Sequence, residues 1–319
     1  MKTIGLLTSG GDAPGMNAAI RAIVRTCVFN GIRAMGIRFG YDGLIRGDIK
    51  EMAVSSVADI IQRGGTILGS ARSEEFVTTV GFEKALTTLR DFEIDAVIVL
   101  GGDGSFKGAK SLSEAGIKTI GIPCTIDNDM GYTDYTIGFY TAVETIVEAI
   151  SKIRDTSSSH GRGNVIEVMG RKCGDLALYS GVASGAESIL VPEIGLNLDE
   201  VIERVKQGKR RGKLHHIIVL AEGAGNAEEV AKTVEEATDV ATRVTILGHV
   251  QRGGNPAAYD RLQASQMGNR AVKLLIEGAT GRALGNRMNQ IYDMDIIEAV
   301  NTKNHLNLEL YEIAKELSI

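Results

Sequence analysis

The chain is short of cysteine, of basic excess and of long apolar runs, and each shortage excludes a class of protein. Its 319 residues carry a formal charge of −5. A general nucleic-acid surface needs a basic excess, so this balance argues against one. Anionic small molecules stay open, because local arginine clusters decide that. Only three cysteines occur, Cys27, Cys124 and Cys173, far apart in sequence. Without a CxxC pair or a Cys/His ladder, neither a zinc site nor a disulfide framework is indicated. No apolar run approaches the ~18 residues of a membrane helix. The opening MKTIGLLTSGGD turns polar after Leu7, too early for the apolar region of a signal peptide. The expectation is a reduced, cytoplasmic protein without repeats or low-complexity tracts. Apolar residues at 44% and charged residues at 24% are ordinary for a globular chain, and the length suggests about two domains.

Short apolar runs alternate with segments of helical period. IGLLT (4–8) reads as a buried strand that breaks at Ser9-Gly10-Gly11-Asp12, and Pro14 suits the first turn of a helix. In that helix Met16, Ala19, Ile20, Ile23, Val24, Cys27 and Val28 fall on one apolar face, while Arg21 and Arg25 are neighbours one turn apart. DAVIVLGGDGS (95–105) repeats the pattern of strand, glycine turn and helix. KTIGIPCTID (118–127) is a strand ending in an acidic turn, and 139–154 is helical. Further strands are expected at 164–171, 188–193 and 215–223, helices at 198–210 and 256–277, and a loop at 155–163. This alternation predicts an α/β fold of doubly wound domains with mainly parallel sheets, whose ligands sit at strand carboxyl ends.

TSGGDAPGMN and GGDGSFKG both follow strands and open helices. Glycine lets backbone N–H groups approach an anion, and a helix N-terminus favours negative charge. Neither the P-loop pattern GxxxxGK[ST] nor GxGxxG is met. Asp103 inside GGDGS would repel a phosphate unless a cation lay between them, so the turn reads as a metal–nucleotide turn; the alternative is an Asp that caps the next helix. Asp127 and Asp129 cannot both cap one helix. In an extended segment they would face one pocket and repel, until a metal ion or arginines relieved them. One could then hold Mg²⁺ while the other takes a proton from an attacking hydroxyl. The alternative is a solvated turn rich in Asp and Asn.

TSGGDAPGMNAAIR (8–21), QRGGTILGSAR (62–72), GGDGS (101–105), TIDND (125–129), MGR (169–171), AEG (221–223) and RVTILGHVQRGGNPAAYDR (243–261) together resemble the bacterial 6-phosphofructokinases. The segments keep that family's order and span most of the chain. The resemblance implies ATP-dependent phosphorylation of fructose 6-phosphate at its 1-hydroxyl, with Mg²⁺, in a homotetramer. It implies a nucleotide-binding domain of 1–138 plus 251–301 and a sugar-phosphate domain of 139–250 plus 302–319, with ligands in the cleft between them. Asp127 would be the base and Thr125 would touch the transferring phosphoryl group. Arg171 and Arg72 would neutralise its charge, and Asp103 and Asp129 would be Mg²⁺ partners. Gly11, Tyr41, Gly102, Gly104, Ser105 and Gly108 would line the ATP site. Met169, Gly170, Glu222, His249 and Arg252 would hold the sugar phosphate, with Arg162 and Arg243 reaching it from a neighbouring subunit. Arg21, Arg25, Asp59, Arg154, Gly185, Glu187, Arg211, Lys213 and His215 match an effector site for ADP and phosphoenolpyruvate.

Three departures stand out. Cys124 precedes TIDND where the family usually has glycine, and a side chain there is strained if the backbone needs a positive φ. Tyr140 replaces an aspartate, and SARSEEF (70–76) differs from the common SARCPEF. Pyrophosphate-dependent relatives carry Lys at 124 and Asp at 104, whereas this chain keeps Gly104, which favours ATP. The competing readings are a pyrophosphate-dependent or other sugar-phosphate kinase, and a non-catalytic sugar-phosphate sensor. NAD kinases, which also carry GGDG, lack the 243–261 signature. The retained Asp127 speaks against a sensor, since sensing needs no base.

Overall fold

The computed structural model describes residues 1–213 and 215–318. In chain order the first elements are β1 (Thr3–Thr8), α1 (Met16–Phe29), β2 (Arg33–Ile37), α2 (Gly40–Arg46), β3 (Ile49–Met52) and α3 (Thr79–Asp91). Then come β4 (Ala96–Gly101), α4 (Asp103–Glu114), β5 (Lys118–Pro123), α5 (Phe139–His160), β6 (Gly163–Val168) and α6 (Asp175–Ser184). Next are β7 (Ser188–Leu190), α7 (Leu198–Arg210), β8 (His216–Ala221), α8 (Ala227–Thr238), β9 (Thr242–Ile246) and α9 (Ala258–Ile276). The chain closes with β10 (Arg282–Arg287), β11 (Gln290–Asp295), α10 (Ile296–Asn301) and α11 (Leu308–Leu317). Two compact units result. The first comprises Met1–Ile126, Met130–Thr141 and Arg252–Asn304; the second comprises Asp127–Asp129, Ala142–Gln251 and His305–Ile319.

Among the described residues the first unit holds a seven-stranded sheet in the order β11-β10-β5-β4-β1-β2-β3. All neighbours are parallel except the two edges, β3 and β11. Every residue of β1 and β4 is buried, as expected of strands covered by helices on both faces. The chain leaves β1 for β2 on one side and returns to β4 on the other, so the strand order reverses between β1 and β4. The second unit holds a four-stranded parallel sheet, β7-β8-β6-β9. Its core gathers Val165, Ile218 and Leu220 from the strands with Val201, Val205, Val230 and Val234 from α7 and α8. The expected fold class is therefore found: α/β with mainly parallel sheets.

Local differences from the sequence reading have physical causes. Helix α1 starts at Met16, after Gly15 in the left-handed region (φ 104°), so Pro14 precedes the helix. Its expected face is buried except Val28, which is 43% exposed in the last turn. Residues 155–160, expected as loop, continue α5. The hydroxyls of Ser157, Ser158 and Ser159 donate to the carbonyls of Ile153, Arg154 and Asp155 one turn back, which absorbs their hydrogen-bonding demand within the helix. The other end of α5 is held by Asp260, which is fully buried. Its carboxylate accepts from Gly138 N and Thr141 N at 2.9 Å each and from Thr141 Oγ1 at 2.5 Å. A negative group at a helix N-terminus is also favoured by the helix dipole.

His216 opens β8 buried at 3% exposure, and neither ring nitrogen has a hydrogen-bond partner among the described residues. A β-carbon on Gly208 of α7 would lie 2.3 Å from its Cε1, so glycine is required for this close approach. Burial pushes the His216 pKa down; Glu187 opposes that, and Lys213, His215 and Arg211 add to it.

Two outcomes follow from these contacts. Asp260→Ala strands two buried N–H groups and lowers stability by about 3 kcal/mol, read as a drop in unfolding midpoint. For His216 the unfolded chain takes up a proton below about pH 6.5 while the folded chain resists it, so stability falls as pH drops through that value. In His216→Leu the acid limb of the stability–pH curve between about 6.5 and 5 becomes flatter, as thermal scans across that range will register.

Candidate active site

Three parallel strands of the first unit end at one level. Thr8 of β1 is paired with Leu100 of β4, and Gly101 of β4 with Pro123 of β5. The turns that follow therefore share one edge of the sheet, at the point of strand-order reversal where α/β sheets bind ligands. Ser9 N donates to Leu100 O, and Cys124 N donates to Gly101 O, each at 3.0 Å. A β-carbon on Gly102 would sit 3.7 Å from Thr125 Cβ. Gly10 N donates to Ala71 O at 3.3 Å, which brings the exposed Arg72 to the turn after β1. Gly11 lies against Arg252: a β-carbon there would be 2.1 Å from the guanidinium. So the structure gathers Gly11, Arg72, Gly102, Asp103, Gly104, Ser105, Thr125 and Arg252 at one edge.

Tyr41 and Gly108 brace this edge from below. Tyr41 is 5% exposed, its hydroxyl donates to Ser105 O at 2.6 Å, and its ring stacks on Phe76 at 4.1 Å. A β-carbon at Gly108 would run into that ring at 2.5 Å. Asn17, fully buried, was not singled out in the sequence. Its Nδ2 donates to Arg63 O (3.0 Å) and Gly65 O (2.8 Å), and its Oδ1 accepts from Ile67 N (2.9 Å), tying the 62–72 motif to α1. The departures settle into ordinary packing. Cys124 has no positive φ, forms a parallel bridge with Ile137 and is 1% exposed; burial, aided by Asp260, pushes its thiol pKa up. Tyr140 joins an aromatic cluster, 4.9 Å from Tyr135 and 4.7 Å from Tyr259. Ser73 Oγ accepts from Phe76 N at 3.2 Å.

In the second unit β6, β8 and β9 likewise end together. Val168 pairs with Ala221, Glu222 N donates to Val168 O (2.8 Å), and Leu247 N donates to Glu167 O (3.1 Å). Met169, Gly170, Arg171, Glu222 and His249 thus leave one sheet edge. Gly170 has φ 129° and Arg171 φ 55°, a tight left-handed corner that Arg171 N completes by donating to Glu222 Oε1 at 2.7 Å. Gln251, fully buried, accepts from Met169 N at 3.1 Å and donates to Gly248 O at 3.0 Å. It holds this edge and was visible in the sequence only as part of the 243–261 signature.

The acidic turn belongs to this unit. Asp127 is 2% exposed and lies 3.2 Å from Arg171 Nε; Asp129 lies 4.0 Å from Arg171 Nη1. The segment is not extended, because Asn128 between them has φ 52°. Both carboxylates still meet one guanidinium. Asn128 points elsewhere, donating Nδ2 to Asp175 Oδ2 at 2.8 Å. Burial pushes the Asp175 carboxyl up to about 6, with the Asn128 bond pulling the other way and Glu193 adding to the rise.

Arg162 and Arg243 are not with these groups. Arg162 precedes β6, and Arg243 sits opposite Asn164 near the start of β9. They are separated from Met169 and Glu222 by roughly 17 Å of strand.

A second basic cluster forms in the same unit. Glu187, 5% exposed, meets Lys213 Nζ at 2.6 Å and Arg154 Nη1 at 3.9 Å, and accepts from Ile217 N at 2.5 Å. Arg154 Nη1 lies 3.2 Å from His215 Nε2, and its Nη2 donates to Ser184 O and Gly185 O. Burial lowers the His215 pKa, Glu187 raises it, and Arg154 and Lys213 lower it further. Arg211 caps the end of α7 and is exposed. Arg21, Arg25 and Asp59 belong to the first unit, with Asp59 at φ 52°.

The family model described as phosphofructokinase matches residues 3–275. The chain is 68% identical over 319 residues to the ATP-dependent 6-phosphofructokinase of Finegoldia magna and 62% identical to that of Alkaliphilus metalliredigens, with all of each chain covered. Among solved structures, phosphofructokinase from Saccharomyces cerevisiae superposes with a TM-score of 0.91 at 36% identity, over 98% of this chain and 50% of the yeast chain. A pyrophosphate-dependent phosphofructokinase from Marinobacter aquaeolei, 24% identical, shares the fold with a TM-score of 0.86, over 97% of this chain and 86% of that one. A family match over residues 3–275, with identities above 60% along the whole chain, makes the chain a member of the phosphofructokinase family.

Proposed function

We propose that this chain transfers the terminal phosphoryl group of ATP to the 1-hydroxyl of fructose 6-phosphate, giving fructose 1,6-bisphosphate and ADP. The observation that carries the reading is the acidic turn, in which one guanidinium meets both Asp127 and Asp129, two and four residues beyond Thr125. Asp127 accepts the hydroxyl proton as the sugar oxygen attacks the terminal phosphorus and the bond to the bridging oxygen of ADP breaks. Arg171, half exposed, has N–H groups to spare for the charge on the phosphoryl oxygens, and Arg72, brought beside the turn after β1 by the Gly10–Ala71 bond, would serve with it. Positioning and electrostatics supply most of the catalysis in such transfers.

Glycine usage supports a nucleotide at the first edge. Neither Gly102 nor Gly104 has a positive φ; a β-carbon at Gly104 would meet nothing within 4 Å, and one at Gly102 would make only ordinary contacts. The fold itself has no need of glycine at either position, whereas close backbone approach to a triphosphate does. Mg²⁺ is held by one or two carboxylates together with phosphate oxygens and water. Asp103, at the start of α4 and 2.6 Å from Lys107, and Asp129 offer one carboxylate each. Among the described residues no group of three or more metal-ligating side chains occurs, which suits an ion arriving with the nucleotide. Bound there, it would neutralise phosphate charge. The first unit would thus take the nucleotide, and Met169, Gly170, Glu222, His249 and Arg252 the sugar phosphate. The distance of Arg162 and Arg243 from that edge supports their service to a neighbouring copy in a homotetramer. The cluster around Glu187 would take ADP or phosphoenolpyruvate as an effector. Three free, buried cysteines are in keeping with a reduced cytoplasm.

Purified protein given fructose 6-phosphate should turn over with ATP and not with pyrophosphate, and Asp127→Asn should lower kcat by ~10²–10⁴ with sugar-phosphate binding retained. Turnover with pyrophosphate alone, or a near-normal kcat in the variant, contradicts the assignment. Arg211→Ala combined with Lys213→Ala should abolish the response of the rate to added ADP. Loss of all turnover in that double variant would mark the two side chains as structural instead.

A further inference from the structure

Three consecutive residues of the acidic turn are gripped by a single loop, and the middle grip has no part in the chemistry above. Arg171 meets Asp127 and Asp129. Two residues further on, Cys173 Sγ lies 3.8 Å from the carbonyl oxygen of Asn128. Asp175 accepts the Asn128 side-chain amide at 2.8 Å. Asn128 is 4% exposed and Asp175 6% exposed, so this bond is shielded from water. The loop is itself fixed, because Gly174 N donates to Glu193 Oε1 at 2.8 Å.

Asn128 adopts φ 52°, a left-handed conformation that asparagine tolerates better than most residues but does not prefer. Something must hold it there. With the middle residue left-handed, the side chains on either side turn toward the same guanidinium while the middle one turns away. If Asn128 relaxed to a right-handed or extended conformation, the direction of Asp127 relative to Asp129 would change. Asp175 is well suited to prevent this. It is the first residue of α6, where a negative charge is favoured by the helix dipole, and a carboxylate makes a stronger bond to an amide than a neutral acceptor.

We propose that Asp175 is a positioning residue of the phosphoryl-transfer site. Its carboxylate holds Asn128 left-handed and thereby aims Asp127 at the sugar hydroxyl. The inference deepens the reading of Asp127 as the base and rests on it. Misplacement of a reacting group by about 1 Å can cost on the order of 10²-fold in rate, so the effect belongs in kcat.

The test is steady-state kinetics on the full-length protein with MgATP and fructose 6-phosphate. Asp175→Ala should lower kcat by about 10- to 100-fold while both KM values stay within about threefold. Asp175→Asn, whose amide oxygen can accept the same N–H, should recover most of that loss. Asn128→Gly permits the positive φ but removes the side chain that Asp175 holds. It should lose kcat similarly, and adding Asp175→Ala to it should cost little more, since the two act through one bond. An unchanged kcat in folded Asp175→Ala overturns the proposal. So do additive losses in the double variant, or losses shared between kcat and KM. Should Asp175→Ala not fold, Asn128→Gly decides alone: a kcat-only loss supports the proposal and an unchanged kcat overturns it. Absence of turnover in the wild-type protein would instead remove the kinase reading, and this inference with it.

Discussion

Two carboxylates two residues apart, in a turn largely shut off from water, need a cation between them, and much of the second unit is arranged to supply one. Arg171 is that cation, and its position is no accident of surface mobility. Its backbone sits in the left-handed region beside Gly170, and its N–H is taken by Glu222 from the neighbouring strand. Glu222 can do this because β6 and β8 are parallel and end at the same residue level. Gln251 ties the third strand end to the same corner through Met169. A parallel sheet thus does more than bury apolar surface: it aligns loops so that polar groups from distant parts of the sequence meet at one edge.

The first unit shows the same logic with glycine in place of arginine. Glycines in this chain differ in whether packing requires them. Gly108 is forced by Tyr41, whose buried ring leaves no room for a β-carbon. A β-carbon at Gly102 would make only ordinary contacts and one at Gly104 none, and both have ordinary backbone angles, so neither glycine is demanded by packing. Tyr41 itself supports the Ser105 carbonyl and the start of α4 from beneath.

Strand and helix periodicity made the doubly wound architecture legible, because fully buried parallel strands read as unbroken apolar runs. The helical serines at 157–159 were not legible: Ser-rich composition suggests a loop, and only their bonds to carbonyls one turn back keep them helical. The acidic turn was legible as chemistry but not as geometry. Two carboxylates can share a pocket in an extended segment, yet here a left-handed Asn128 brings them together instead. Supporting residues such as Asn17, Gln251 and Asp175 carry no signal of their own in one sequence, since a buried amide or acid looks the same as a solvated one until its partners are known. The basic side chains at 154, 213 and 215 could be grouped only by resemblance, because 59 positions separate Arg154 from Lys213 along the chain and folding alone makes them neighbours of Glu187.

The two ends of the second sheet carry different polar groups. Phosphate is best gripped by the planar fork of arginine, so where the arginines of this sheet stand limits where a phosphate can be met. Arg162 just precedes β6 and Arg243 pairs opposite Asn164 in β9, so both stand at the far end of this sheet. A strand cannot be shortened, so no side-chain rearrangement brings those guanidinium groups to the near end of their own sheet.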